Sequence, residues 1–413
     1  MSVKKIVVLS SLLVLALGFG MSSLAGDQVV IKHWYHQYGE AGTQEAAMRY
    51  AEEYMKINPD VTVEVTWVPG DYGTKLSAAL LTDDGPDVFE INNPSPAYVA
   101  AGQIAPLDDL YTDKLRADFG ATELSIGTIG NTIYGVKMIT DPIAVYYSKS
   151  MLKDAGVEVP TTMDELIEAA KSLTSRRTKG LYIGNDGGLS IWIGRQMIWS
   201  AGNDLFDADG KIAFDNERTD KAILKLGELY KSESVLMGSP TEWWDPSALI
   251  DGLVAMQFCG LWAAPQLMKE MGDDLGMFVW PALDEQGTPA ITMSGWSQMV
   301  NANSPNIDAA KAYVKWLWIE NTDIQKDWSL SYGFHIPPRS SAAAEAEALT
   351  QGVPKAFVDG LNQYGKPMGP YWTNAMDTIL TTAIVNIIKN DVDPRAEISA
   401  AAQKCQAELD AIQ

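Results

Sequence analysis

Cysteine and histidine are the residues that this sequence has least of, with two cysteines and three histidines among 413 residues. Neither a Cys-x-x-Cys nor a His-Glu-x-x-His pattern occurs, and such spacings are typical of transition-metal sites. The sequence therefore predicts neither a dedicated metal site nor a cofactor. Two cysteines are also too few for a framework of disulfides.

The two cysteines, Cys259 and Cys405, could still pair with each other in an oxidising compartment. Cys405 falls on an apolar stripe at helical spacing with Ile398, Ala402 and Leu409. That pattern favours a small buried side chain in a helix. Pairing and burial as free thiols are both open from the sequence.

Positive charge is also scarce, since 31 Lys and Arg face 53 Asp and Glu for a formal net charge of −22. An acidic surface of this size repels the phosphate backbone of nucleic acids. The composition therefore argues against a nucleic-acid partner.

Long apolar runs are absent after the N-terminus, which itself has the pattern of an export signal. Lys4 and Lys5 precede an apolar run at residues 6–20, and Ser23-Leu24-Ala25 suits signal peptidase. We predict a signal peptide over residues 1–25, with an uncleaved anchor as the alternative, although the run is shorter than the about 20 residues of a membrane helix. No cysteine lies near the cleavage site, so lipidation of the mature N-terminus is not expected. We therefore expect a soluble periplasmic protein.

Catalytic motifs are missing as well. The chain has no Gly-x-Ser-x-Gly elbow, no phosphate loop and no dinucleotide-binding Gly-x-Gly-x-x-Gly between a strand and a helix. Carboxylates are abundant, so a glycan hydrolase that uses a carboxylate pair remains an alternative. The sequence favours a binding protein without catalytic activity.

Short β-rich runs alternate with helical patterns in the N-terminal part. Strands are predicted at residues 29–34, 61–68 and 87–91, with a helix to Ile57 and another at residues 75–82. This alternation predicts an α/β fold with a mainly parallel sheet, in which ligands bind beyond the carboxyl ends of the strands. The length predicts two lobes, because a single core rarely grows to this size.

Thirteen tryptophans are more than an ordinary core requires, and several stand beside Gly, Pro or amide residues. A pyranose ring has apolar C–H faces and a polar hydroxyl edge, so its site needs flat aromatic surfaces and a few fixed polar groups. Trp316, Trp318 and Trp328 follow helical spacing and are assigned to the core. The remaining tryptophans make a carbohydrate the predicted ligand.

Several segments, in this order, resemble the family 1 extracellular solute-binding proteins of ABC importers, whose best-known members bind maltose and other oligosaccharides. They include "VVIKHWYHQYGE", "LLTDDGPDVFEIN", "AAGQIAPLDDL", "IYGVKMITDPIAVYYSKSMLKDAGVEVPTTMDELIEAAKSL", "GLVAMQFCGLWAAPQL" and "GWSQMVNANSPNIDAAKAYVKWLW". The resemblance implies a two-lobed periplasmic-binding-protein fold, each lobe a sheet flanked by helices, with the ligand cleft between the lobes. It also implies a monomer that captures a mono- or oligosaccharide, or a related polyol, by lobe closure and delivers it to an ABC permease. A sensor module for a chemoreceptor or kinase is a further alternative.

The resemblance implies segments that cross between the lobes near Thr140, Ile291 and Ile336. The N-terminal lobe would then hold residues 27–139 and about 292–336. The C-terminal lobe would hold about 140–291 and 337–413.

The family's ligand-binding positions map onto loops and strand ends of this sequence. The resemblance implies contacts from His36, Gln37, Tyr38, Glu40, Asn92, Asn93, Asp141, Ser190, Trp192, Arg195, Trp262, Gly295, Trp296, Trp372 and Asn374. Trp243 and Trp244 have no firm counterpart in the family and are added as aromatic candidates.

Two details of this mapping bear on the ligand. Arg195, if it faces the cleft, would suit a carboxylated or phosphorylated ligand, and a surface salt bridge is the alternative. Cys259 replaces a polar residue of some relatives, and the loop at Asn92 lacks the Trp and Asp of some maltose binders.

In "HWYHQYGE", Trp34 and His33 are expected in the wall of the lobe, and Tyr35 lies at its wall or rim.

Overall fold

The computed structural model describes residues 28–184, 192–390 and 392–412. The predicted signal peptide at residues 1–25 and the predicted contact Ser190 lie outside these ranges. Thirteen strands and sixteen helices make up the described chain, together with short 3₁₀ turns and a π-helical segment at Lys315–Glu320.

The strands are β1 (Val29–His36), β2 (Val61–Val68), β3 (Val88–Ile91), β4 (Thr128–Ile129), β5 (Thr132–Ile133), β6 (Val136–Lys137), β7 (Asp141–Ser148), β8 (Lys179–Tyr182), β9 (Val254–Gly260), β10 (Leu275–Phe278), β11 (Ile291–Ser294), β12 (Ser297–Val300) and β13 (Gly365–Pro367). The helices are α1 (Thr43–Ile57), α2 (Tyr72–Ala79), α3 (Pro96–Ala100), α4 (Asp113–Ile126), α5 (Lys149–Ala155), α6 (Met163–Leu173), α7 (Ile193–Ser200), α8 (Glu217–Lys231), α9 (Ser247–Ile250), α10 (Ala264–Met271), α11 (Ile307–Val314), α12 (Thr322–Leu330), α13 (Ser340–Ala344), α14 (Gly352–Tyr364), α15 (Asn374–Asn390) and α16 (Pro394–Ile412).

The N-terminal lobe is built on a five-stranded sheet of order β2-β1-β3-β12-β6. β1 pairs in parallel with β2 and β3, as the alternation of strands and helices predicts, whereas β12 returns from far along the chain and runs antiparallel to β3. Side chains alternate along β1, so Ile31, His33 and Tyr35 are buried on one face. Alternation thus places Tyr35 in the wall, and Trp34 packs on the opposite face of the sheet.

The C-terminal lobe is built on a sheet of order β13-β11-β7-β9-β8, with β10 also paired to β7. Its central strand β7 runs antiparallel to both of its neighbours, β9 and β11. The helices α6, α7, α8, α15 and α16 cover it through an apolar core that includes Cys405 on α16. Both cysteines are free and buried.

The chain crosses between the two sheets at three places. β6 leads into β7 through residues 138–140, and β11 leads into β12 through Gly295 and Trp296. The third crossing is marked by a bridge in which Thr140 and Ile336 exchange two backbone hydrogen bonds of 2.9 Å. The change of sheet after Ser294 lies a few residues beyond the predicted crossing near Ile291, and the lobe ranges themselves stay a prediction.

Gly295 is required at its crossing by both conformation and space. Its φ is 125°, and a Cβ there would lie 2.1 Å from the carbonyl oxygen of Ile139. Its own carbonyl accepts a 2.8 Å hydrogen bond from the Asn92 side chain. Any larger residue would push the crossing segments apart.

Local sequence signals placed most element boundaries. The sequence Thr162-Met163-Asp164-Glu165 has the Ser/Thr-x-x-Glu form of a capping box, and Thr162 and Glu165 form that box at the start of α6. β9 ends at Gly260, because Leu261–Ala263 form a 3₁₀ turn that leads into α10. That turn lifts Trp262 off the end of the sheet. Among the helices that the structure describes, none combines the length and apolarity needed to cross a membrane.

Candidate ligand-binding site

A cavity of about 880 Å³ lies between the two lobes, beyond the carboxyl ends of β1 and β3. Its volume falls in the range of small-molecule sites. Eleven of the residues expected from the sequence line it: His36, Gln37, Tyr38, Glu40, Asn92, Asp141, Trp192, Trp243, Trp244, Trp262 and Trp296. The structure therefore brings residues from seven separate segments of the chain to one place.

Other predicted contacts are not part of the cavity wall. Asn93 follows Asn92 but does not line the cavity, and Gly295 serves the crossing between the sheets. Asn374 is exposed at the start of α15. Trp372 is buried in the core of the C-terminal lobe, where its ring edge contacts Phe206 and Phe214. Ser190 belongs to residues that the structure does not describe.

Arg195 neither faces the cavity nor forms a surface salt bridge, so both expectations for it are wrong. It is 1 % exposed, and its Nε lies 3.1 Å from Asp377 Oδ1 inside the C-terminal lobe. Trp372 donates a 2.8 Å hydrogen bond to the same carboxylate oxygen. Helix periodicity alone could not reveal this ion pair, because Arg195 lies on α7 and Asp377 lies on α15. Among the described residues of the cavity wall, Arg195 contacts Trp192, whose ring lies 4.5 Å from its guanidinium.

The N-terminal lobe presents a group of stacked rings at the end of β1. His36 stacks on Trp296 with ring centroids 3.8 Å apart, and the ring of Tyr38 is tilted by 40° against His36 with centroids 3.9 Å apart. The fully buried carboxylate of Glu90, on β3, accepts a 2.7 Å hydrogen bond from the His36 backbone and a 2.9 Å bond from the Tyr38 hydroxyl. Its Oε1 also lies 2.5 Å from His36 Nδ1. Glu90 thus fixes the orientation of two rings without lining the cavity itself.

The C-terminal lobe presents a cluster of tryptophans opposite these rings. Trp262 contacts the ring of Trp243 edge-on at 5.8 Å, and Trp243 contacts Trp192 at 6.4 Å. The indole of Trp262 lies flat over Gly260, where a Cβ would come within 1.9 Å of the ring. Its Nε1 donates a 3.0 Å hydrogen bond to the carbonyl of Trp244. Gly260 and this hydrogen bond together fix the ring as a flat surface.

The two lobes approach each other where Trp244 meets the loop after β1. A Cβ on Gly39 would lie 3.3 Å from the Trp244 ring, although that ring is 48 % exposed. A ring that is this exposed and reaches the opposite lobe can close over a ligand.

A buried histidine that sequence reasoning missed joins two of the predicted residues. His335 is 2 % exposed and lines the cavity. Its Nδ1 lies 2.5 Å from Asp141 Oδ1, and its Nε2 lies 4.0 Å from Glu40 Oε1. The available signal was a lone histidine directly before the crossing at Ile336. The sequence also gave no reason to select Tyr332, Asp245, Gln266 or Ser294, which complete the polar part of the wall.

The environment of His335 favours its charged form. Burial alone would lower the pKa of His335, but the negative charges of Asp141 and Glu40 outweigh it and raise that pKa above its ordinary value. The opposite holds for His33, where burial lowers the pKa to about 3 and keeps the ring neutral.

We expect the stabilising effect of His335 to depend on pH. Because its pKa is raised on folding, the contribution is complete below the unfolded value of about 6.5 and is lost as pH rises through the folded pKa. The loss of unfolding free energy caused by His335→Gln should therefore be larger at about pH 6 than at about pH 9. Urea denaturation of both proteins at the two pH values measures this.

Proton NMR of the ring signals gives an independent check. The His335 signal should titrate above the ordinary histidine range, whereas the His33 signal should not titrate between about pH 5 and about pH 9. A His335 ring that is neutral at about pH 6 contradicts the expected pairing.

The wall combines flat aromatic faces with fixed amide, hydroxyl and carboxylate groups. Such a site suits a ligand that has apolar ring faces and a hydrogen-bonding edge, because each buried polar partner that stays unpaired costs about 1–3 kcal/mol. In the described ranges, no group of three or more His, Cys, Asp or Glu is arranged to hold a metal ion.

Comparison with known proteins gives a consistent result. The profile of the family "Bacterial extracellular solute-binding protein" matches residues 40–317. The "Multiple sugar-binding protein" of Streptococcus mutans is 21 % identical over 401 residues and is matched over 93 % of each chain.

Two solved structures share the fold. A solute-binding protein from Thermotoga lettingae, bound to α-D-tagatose, has a TM-score of 0.78 at 19 % identity and covers 92 % of this chain and 100 % of its own. The GacH receptor of Streptomyces glaucescens, solved unliganded and with acarbose, has a TM-score of 0.77 at 24 % identity, covering 93 % of this chain and 99 % of its own. These likenesses confirm the predicted two-lobed periplasmic-binding-protein fold.

Proposed function

The chain belongs to the family of bacterial extracellular solute-binding proteins, and from that premise we propose that it captures a carbohydrate between its lobes for an ABC permease. The family consists of proteins that bind solutes, so the chain is a binding protein and not an enzyme. The alternative of a glycan hydrolase is therefore set aside.

One observation carries the choice of a carbohydrate. The cavity has aromatic surfaces on both sides, His36, Tyr38 and Trp296 from one lobe and Trp243 and Trp262 from the other. A pyranose has two apolar faces, so it can lie between such surfaces while its hydroxyl groups reach the polar wall. The sugar ligands named for the Streptococcus and Thermotoga relatives agree with this choice.

Capture by lobe closure follows from the same arrangement. A ligand that touches both walls makes all of its contacts only when the lobes are closed, so it shifts the population toward the closed form. The closed surface is what we propose the permease recognises. We also propose that residues 1–25 are a signal peptide and that the protein is a periplasmic monomer. Its lobes have the predicted ranges.

Titration with a panel of mono- and oligosaccharides tests the carbohydrate assignment. The tryptophan-rich wall should make the intrinsic fluorescence change saturably with the ligand, and a ligand at about one hundred times its Kd should add about 2.7 kcal/mol to the unfolding free energy. A rise in Tm that follows ligand concentration is the second readout. The assignment fails if no sugar or polyol changes either signal while the protein remains folded.

A further inference from the structure

The wall of the cavity is rich in carboxylates and poor in cations. Glu40 comes from the N-terminal lobe, and Asp141 and Asp245 come from the C-terminal lobe. Among the wall residues within the described ranges there is no lysine or arginine. The segment 185–191, which the structure does not describe, has the sequence NDGGLSI and contains no basic residue either.

The two histidines of the wall already have acidic partners. His335 contacts Asp141 at 2.5 Å, and His36 contacts the buried Glu90 behind it at the same distance. Glu40 has only a distant second contact, 4.0 Å, to His335. Asp245 accepts a backbone hydrogen bond from Ser247. In the described part of the chain, neither Glu40 nor Asp245 forms a salt bridge with a lysine or an arginine.

Glu40 and Asp245 act on the same region although they belong to opposite lobes. Glu40 directly follows Gly39 in the sequence, and Asp245 directly follows Trp244. Gly39 and the Trp244 ring are in contact across the two lobes. Burial raises the pKa of the Cys259 thiol, and the negative charges of Asp245 and Glu40 add to the same effect. Two carboxylates that have no lysine or arginine partner in the described residues thus flank the contact between the lobes.

The surrounding aromatic faces add a second attraction for positive charge. Trp244 and Trp262 lie beside Asp245, and the face of an indole attracts cations more strongly than that of any other side chain. A cation between the lobes would interact with both carboxylates and with an indole face.

We propose that this site prefers a carbohydrate that carries a positively charged nitrogen, such as a protonated amino sugar, over the corresponding neutral or acidic sugar. The inference rests on the proposed function, because the same cavity holds the ring. It replaces the expectation of an anionic ligand, since Arg195 is ion-paired away from the cavity. The negative charge of the two carboxylates also links ligand binding to lobe closure. Closing the empty site brings like charges together, and a bound cation removes that repulsion.

Matched sugars that differ only in charge test the preference. For glucose, galactose and mannose, the 2-amino sugar is compared with its N-acetyl derivative, the parent sugar and the uronic acid, as monosaccharides and β-1,4-linked disaccharides. Calorimetric titration at low ionic strength should give the amino sugar of the preferred ring at least a tenfold lower Kd than its N-acetyl form. Added salt should reduce that ratio, because charge interactions at a partly open site are screened.

Variants connect the preference to the two carboxylates. Asp245→Asn and Glu40→Gln should each bring the ratio of the two Kd values closer to one. Glu52→Gln, an equal change of net charge at an exposed position of α1, should leave the ratio unchanged.

The possible results separate this inference from the proposed function. If neutral sugars bind at least as tightly as their amino counterparts, the charge preference is wrong and the carbohydrate function stands. The same conclusion follows if Asp245→Asn and Glu40→Gln both keep the wild-type ratio of the two Kd values. If no sugar of any charge binds, both are wrong.

Discussion

Replacing Arg195 by alanine should lower the free energy of unfolding by about 3–5 kcal/mol, because it leaves the buried carboxylate of Asp377 without its cation. Burial already raises the pKa of Asp377 even though Arg195 and the hydrogen bond from Trp372 oppose that shift. Without the guanidinium, the carboxyl group must either take up a proton or remain as an unpaired charge in the core. Urea denaturation followed by circular dichroism measures the loss.

A double variant distinguishes the ion pair from simple loss of volume. Removing both partners in Arg195→Leu/Asp377→Leu should cost less than the sum of the two single changes, since no isolated charge remains. Arg176→Ala, at an exposed position after α6, should change stability by no more than about 0.5 kcal/mol. Strictly additive effects in the double variant would show that the two side chains are not coupled.

Replacing Trp262 by alanine should weaken binding of the best sugar from the titration panel at least tenfold, about 1.4 kcal/mol. The change removes the flat surface over Gly260 and the 3.0 Å hydrogen bond that holds the carbonyl of Trp244. It therefore frees the ring that reaches the opposite lobe, and closure loses part of its support. Calorimetry on protein shown to be folded gives the Kd.

Two further variants show what the Trp262 ring contributes. Trp262→Phe keeps a flat face but loses the hydrogen bond, so its affinity should lie between those of the wild type and Trp262→Ala. Trp316→Ala removes a ring that packs on Tyr54 and Tyr313 outside the cavity, and should lower stability without changing Kd. An unchanged Kd in Trp262→Ala would place the ligand somewhere other than this cavity.

Local patterns in the sequence were sufficient for most of the fold. The alternation in β1 and the capping box at Thr162 depend on neighbouring residues only, so a short stretch of chain is enough to predict them. The order of segments over the whole chain supplied the family and the loops that line the cavity. It is for this reason that nine of the predicted contacts lie in one wall, together with Trp243 and Trp244, which were chosen as aromatic residues.

The errors share a physical cause. Arg195 and Trp372 carry residue types that suit a ligand, but their positions depend on residues far along the chain. Arg195 on α7 pairs with Asp377 on α15, and the ring of Trp372 packs against Phe206 and Phe214. A helical position gives a face of the helix, and only the neighbouring helix determines whether that face meets a cleft or a core.

The sequence by itself determined the two-lobed α/β architecture, the aromatic character of the site and the loops that form it, because these follow from local periodicity and from the order of motifs. Only the tertiary structure decided which charges meet. It brought His335 between Asp141 and Glu40, placed Glu90 behind His36, and left Glu40 and Asp245 without a lysine or arginine partner within the described residues. Electrostatic interactions act over a few ångströms between residues distant in sequence, so the charge of the cavity depends on how the two lobes pack together.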